Sequence, residues 1–212
     1  MISWNGLTAI GDSKVMLPAA AFILAWLASA GARKAVLWWC LLFGMAFALV
    51  VASKLAFIGW GIGIPALDFT GISGHAMRAT AIIPVLVFLV FQQSDARIQK
   101  LAVSGGFLLG VLIAMSRVMV GAHSVSEALA GASLGIAVSA AFLRFAQPMQ
   151  PLVINRALVA SCMVVLGALT LTKPAPTKIW LKEAGLYMSG KSQPFSRSGQ
   201  RADVSQPLNS VR

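Results

Sequence analysis

Apolar stretches the length of a lipid bilayer recur through this chain, and they limit the fold more than any other feature. A helix needs ~20 largely apolar residues to cross the hydrocarbon core. About six stretches meet that need: residues 15–32, 35–53, 76–91, a fourth ending near Arg117, 125–145 and 152–171. In lipid, backbone polar groups must find partners within the segment itself, as a helix allows. The expected fold is therefore all-α, a polytopic membrane bundle of about six transmembrane helices. Composition agrees, with 58% hydrophobic residues and only 11% charged, where a soluble domain has roughly a quarter charged. The net charge of +11 does not point to nucleic acid, because the basic residues lie between apolar runs and in the tail. There they suit flanking positions and anionic headgroups.

Several positions punctuate the spans. The first ends in Ala28-Ser29-Ala30, which resembles a signal-peptidase site, but its leader offers Lys14 beside Asp12 and no basic n-region. We read it as a retained span. Trp38 and Trp39 open the second span as interfacial aromatics. The Gly59-Trp60-Gly61-Ile62-Gly63-Ile64-Pro65 stretch reads as a sharply turning interfacial loop. Pro84 predicts a kink in the third span. Ala128, Gly131, Ala132 and Gly135 would let a neighbouring helix approach the fifth closely. Pro148 and Pro151 mark the next turn, and Cys40 and Cys162 read as buried thiols within apolar runs. The expected organisation is a transmembrane domain over residues 1–172, then a short interfacial helix and a disordered basic tail over 173–212, disordered from about Gly190 onward.

The chain has two histidines, His75 and His123, each at the edge of an apolar run. Imidazole is the side chain best placed to exchange a proton near neutral pH. Arg117 near a bilayer is costly without a partner or a wet cavity. Counting spans, the loops before the third and the fifth open on one face, so Ser73-Gly74-His75 meets Arg117, His123 and Glu127, with Lys54 nearby. Two imidazoles, cations, a carboxylate and a Ser-Gly turn are what phosphoryl transfer through a covalent intermediate needs. Plainer readings stand beside this one. Ser124-Val125-Ser126-Glu127 is also a capping box, Ser73 also a helix cap, and Arg117 also a candidate to snorkel.

The spacing Ser73-Gly74-His75, then Ser116-Arg117, then His123 and Glu127 resembles the type 2 phosphatidic acid phosphatase (PAP2) superfamily. Its pattern is KxxxxxxRP, PSGH and SRxxxxxHxxxD, and the likeness runs from Lys54 to Glu127. Three positions depart from it: Gly61 stands where the first-motif Arg belongs, Ile72 replaces a Pro, and Glu127 replaces an Asp. The resemblance implies a membrane lipid phosphatase in which His123 is the nucleophile, His75 the general acid, and Glu127 the carboxylate orienting His123. Lys54, Ser73, Gly74 and Arg117 would bind the phosphoryl group, with no metal or other cofactor required. Arg78, one turn from His75, either takes the place of the missing Arg or snorkels.

The implied partners are the bilayer and a lipid phosphate, with undecaprenyl diphosphate or a glycerophospholipid phosphate as candidates. Two other classes stay open, a catalytically weak relative that binds headgroups or partners and, less favoured, a transporter. Short loops bearing Arg33, Lys34, Arg97, Lys100, Arg144 and Arg156 lie on the opposite face. The positive-inside rule makes that face cytoplasmic, so the histidines should face the periplasm or outside of a bacterial-type inner membrane.

Overall fold

The computed structural model describes residues 4–146 and 177–197, together with 160, 161, 164, 165, 167 and 168. The expected sixth span, with Arg156 and Cys162, and the turn at Pro148 and Pro151 lie outside the positions so described, apart from those isolated ones. The described residues include the α-helices α1 (Trp4–Ile10), α2 (Ser13–Ser29), α3 (Arg33–Trp60), α4 (Gly74–Phe91), α5 (Ala96–Met119), α6 (Val125–Ala146) and α7 (Thr177–Ser189), with a 3-10 turn at Pro65–Leu67. Among the described residues, five stretches are long and apolar enough to cross a membrane: Trp4–Ser29, Arg33–Trp60, Gly74–Phe91, Ala96–Met119 and Val125–Phe145. The chain is an all-α helical bundle of the polytopic membrane kind.

The bundle is built around α4. Nearly every side chain from Gly74 to Val85 is buried, on all sides of the helix. Small residues on its neighbours make this possible. A Cβ at Gly110 of α5 would sit 3.0 Å from the Thr80 Cα, and one at Gly106 would sit 3.2 Å from the Pro84 Cα. On the other side, a Cβ at Gly131 or Gly135 of α6 would collide with the Ser73 or Met77 carbonyl. The small residues expected to let a helix approach α6 therefore face α4. Hydroxyls join these surfaces: Thr80 Oγ1 donates to the Ala132 carbonyl at 3.2 Å, and Ser139 Oγ donates to the Thr80 carbonyl at 2.9 Å. Interhelical hydrogen bonds of this kind hold membrane helices where hydrophobic driving force is absent. Pro84 sits inside α4 without ending it.

On the remaining flank, α2 buries Ile23, Trp26 and Leu27, and Trp39 of α3 donates its indole N–H to the Ala20 carbonyl at 3.1 Å. Two expectations change here. The second span does not stop near Ser53: α3 runs through Gly59 to Trp60, and Gly61 caps it at φ 72°. Gly59 is held within the helix because Gly185 of α7 needs its bare surface, a Cβ there lying 3.0 Å from the Gly185 carbonyl. Cys40 is exposed, not buried, because the outward face of a membrane helix is apolar without touching protein.

Chain direction then sorts the ends. The starts of α2, α4 and α6 and the finishes of α3 and α5 share one end of the bundle. Arg33, Lys34, Arg97, Lys100 and Arg144 lie toward the other.

Candidate active site

At the shared end, a cavity of about 420 Å³ is lined by Lys54, Gly74, His75, Arg78, Arg117 and His123, among others. Lys54 stands on α3, one and a half turns before its end. Gly71 makes room for it: at φ 141° it has no side chain, and a Cβ there would sit 3.2 Å from the Lys54 Cγ. Gly74 to Arg78 form the first turn of α4, Arg117 the last turn of α5, and His123 the link into α6. The topology therefore assembles four segments that lie far apart in sequence.

Glu127 does two jobs at once. Its backbone N–H donates to Ser124 Oγ at 3.3 Å and its Oε2 accepts from the Ser124 N–H at 3.3 Å, the reciprocal bonds of a capping box. The same Oε2 lies 2.6 Å from His123 Nδ1. A carboxylate accepts, so the proton belongs on Nδ1 and the lone pair on Nε2. Oε1 accepts from the Thr70 N–H at 2.8 Å and from the Thr70 hydroxyl, and the Glu127 side chain is fully buried. The structural and catalytic readings of Glu127 do not compete in this geometry. Burial holds the His123 imidazole below its ordinary range, against the upward pull of the Glu127 hydrogen bond. The ring is therefore neutral near pH 7, with Nε2 unprotonated.

The second imidazole is set differently. Arg78 Nη2 lies 3.5 Å from His75 Nδ1, and a guanidinium only donates, so Nδ1 accepts and the proton lies on Nε2. That nitrogen lies 3.7 Å from the Asp12 carboxylate at the start of α2. Arg78 is only 6% exposed, which does not fit a side chain snorkelling to headgroup water. Arg117 donates to Thr8 Oγ1 of α1 at 2.8 Å. The Nε atoms of Arg78 and Arg117 are buried without a hydrogen-bond partner among the described residues, a costly state that an anion in the cavity would relieve.

Ser73 stands apart from the other expected phosphate ligands. It is fully buried, does not line the cavity, and caps α4 by accepting from the Ala76 N–H at 3.5 Å, while its own N–H donates to the Glu127 carbonyl at 3.1 Å. The Gly74 backbone does reach the cavity wall. Residues not singled out from sequence also converge here: Asp12, Thr8, Thr70 and Arg197. For Asp12 a signal existed, since span counting already puts the start of the first helix on this face.

Below the cations the cavity becomes apolar. Phe47, Val50 and Val51 line it along α3, Leu17 along α2, and Trp180 and Leu181 along α7. At 1.5 Å per residue, Phe47 lies roughly 10 Å deeper along the helix than Lys54.

The family model described as PAP2 superfamily matches residues 61–150. The chain is also 36% identical over 202 residues to an uncharacterized 22.5 kDa protein in the cps region of Klebsiella pneumoniae, covering 93% of this chain and 97% of that one. No solved structure matches.

Proposed function

Because this chain belongs to the PAP2 superfamily, we propose that it is an integral-membrane lipid phosphatase working through a phosphohistidine. The observation that carries this reading is one cavity with two characters, paired imidazoles and cations at its mouth and an apolar wall running into the bilayer. A phosphoryl headgroup with a lipid tail matches both.

In the first step the His123 Nε2 lone pair attacks the terminal phosphorus while its bond to the leaving-group oxygen breaks, the lipid oxygen of a monoester or the bridging oxygen of a diphosphate. His75, drawn into its doubly protonated form by the charge of the bound phosphoryl group, gives its Nε2 proton to that oxygen as general acid and is left neutral. Glu127 holds the Nδ1 proton throughout and balances the charge on the phosphorylated ring. In the second step water attacks phosphorus, returns a proton to His75, and the P–N bond breaks to release phosphate. Lys54, Arg78, Arg117 and the Gly74 amide stabilise the charge spread over the equatorial oxygens. The unpaired Arg78 and Arg117 Nε atoms support a role on phosphate. The Ser73 hydroxyl would have to leave its cap to take part.

The basic loops at the opposite end support a periplasmic or outer-facing site in a bacterial-type inner membrane. Undecaprenyl diphosphate and glycerophospholipid phosphates are the substrate candidates. The test is phosphate release from a panel of these lipids in detergent, with and without vanadate. Turnover that vanadate inhibits is expected. Vanadate binding without turnover would select instead a catalytically weak, headgroup-binding relative.

Arg78 has its own expected result. Arg78→Ala should lower kcat/KM by ~100-fold, on the order of 3 kcal/mol, because a buried guanidinium on the phosphoryl group is lost. Specific activity within a few-fold of the parent, together with a lower thermal midpoint, would make Arg78 structural.

A further inference from the structure

The chain leaving α7 does not drift away from the bundle, although its composition predicts disorder from Gly190 onward. Residues 190–197 turn back along the end of α3. The Phe195 N–H donates to the Ile58 carbonyl at 3.0 Å, one of the acceptors that the last turn of α3 leaves open. The Phe195 ring covers Gly61, where a Cβ would sit 2.9 Å from ring carbons, and Lys191 Nζ lies 4.2 Å from the ring centroid. These anchors explain why a polar stretch takes one path here.

They deliver Arg197 to the back of Glu127. Its Nη2 lies 2.6 Å from Glu127 Oε2 and 3.3 Å from Thr70 Oγ1, and its Nε lies 3.6 Å from Asp68 Oδ1. Oε2 is also the oxygen that accepts from the His123 Nδ1–H. A buried carboxylate needs both charge compensation and hydrogen bonds, and Arg197 brings the cation. Arg197 does not line the cavity with His75, Arg78 and Arg117, so it reaches the chemistry only through Glu127.

We propose that Arg197 is a positioning residue of the active site, clamping Glu127 from behind so that the carboxylate holds His123 in its attacking tautomer. The C-terminal segment is then part of the catalytic apparatus. This inference rests on the reading of His123 as the nucleophile.

Its consequence should appear in the titration of His123. Glu127 from α6, Lys54 from α3 and Arg117 from α5 face this ring, and His75 from α4 is close enough to interact. Glu127 alone pulls the ring toward protonation, and Arg197 offsets part of that charge. Without Arg197 the pull is less opposed, so His123 should take its proton at higher pH.

Two readouts test this in the full-length protein. Isotope-labelled histidine NMR sees only two rings, assigned with His75→Ala. Arg197→Ala is expected to raise the His123 titration midpoint by about 0.5–1 in pH, a size suited to a partly exposed charge a few ångströms away. It should also lower kcat on a lipid phosphate by ~10-fold with KM within ~2-fold, since no phosphate ligand is removed. Arg197→Lys should recover most of both, because the cation is kept. An unmoved midpoint with unchanged kcat, or a rise in kcat, would overturn the proposal. If the parent protein releases phosphate from no lipid, the phosphatase reading fails, and the NMR midpoint still decides whether Arg197 controls His123.

Discussion

Replacing His123 with Ala is expected to abolish phosphate release, by on the order of 10⁴-fold or more, while the protein still folds. The side chain removed lines the cavity and is the imidazole whose Nδ1 proton is held by a buried carboxylate. Without it the covalent path is closed, and the remaining cations can only bind phosphate. Glu127→Gln should lose less, because the amide oxygen can still accept from Nδ1 while the charge that balances the phosphorylated ring is gone. Steady-state turnover, with a melting curve for each variant, checks both. Near-parental turnover in His123→Ala would end the assignment of that residue.

His75→Ala should cost about 10²–10⁴-fold in kcat on a lipid phosphate, the usual range for a lost general acid. The dependence on leaving group is the sharper readout. An alkoxide needs a proton as the P–O bond breaks, whereas an aryl oxide leaves readily without one. The variant should therefore lose far less on an aryl phosphate than on a lipid phosphomonoester. Equal losses on the two would show that His75 binds or supports and does not donate the proton. Donation needs the doubly protonated ring, which a phosphoryl group bound beside Arg78 and His75 would favour.

How much of this was legible in the sequence differs from residue to residue. His75, Arg117, His123 and Glu127 were legible because their spacing relative to apolar runs puts them on one face, whatever the packing in between. The boundaries of α4 and α6 were legible because Ser73 and Ser124 are good caps just outside long apolar stretches. The end of α3 was not. Glycines in a row read as a turn, yet Gly59 continues the helix because α7 packs on its bare side, a fact about a partner more than a hundred residues away. Cys40 misled for a related reason, since an apolar run cannot say which face meets protein and which meets lipid. Arg197 was hidden most completely. Local composition around it is polar and glycine-rich, and its order depends on Phe195 finding the open Ile58 carbonyl and the bare Gly61 surface. Neither is a local property of the tail.

The vacancy at Gly61 also reads differently once the fold is known. It is not open space awaiting an arginine, because Phe195 fills it. The cationic character of the site comes instead from Lys54, Arg78 and Arg117 within the cavity, with Arg197 behind Glu127.

The measurement closest to the central claim is the capture of the phosphorylated protein itself. A lipid phosphate carrying radiolabelled phosphorus is mixed with the enzyme and quenched into alkali, which preserves phosphohistidine, at times shorter than one turnover. Label on the peptide containing His123, appearing before free phosphate and chased off by unlabelled substrate, is the predicted result. Phosphate release at full rate with unlabelled protein at every quench time, or label on any other residue, would contradict it.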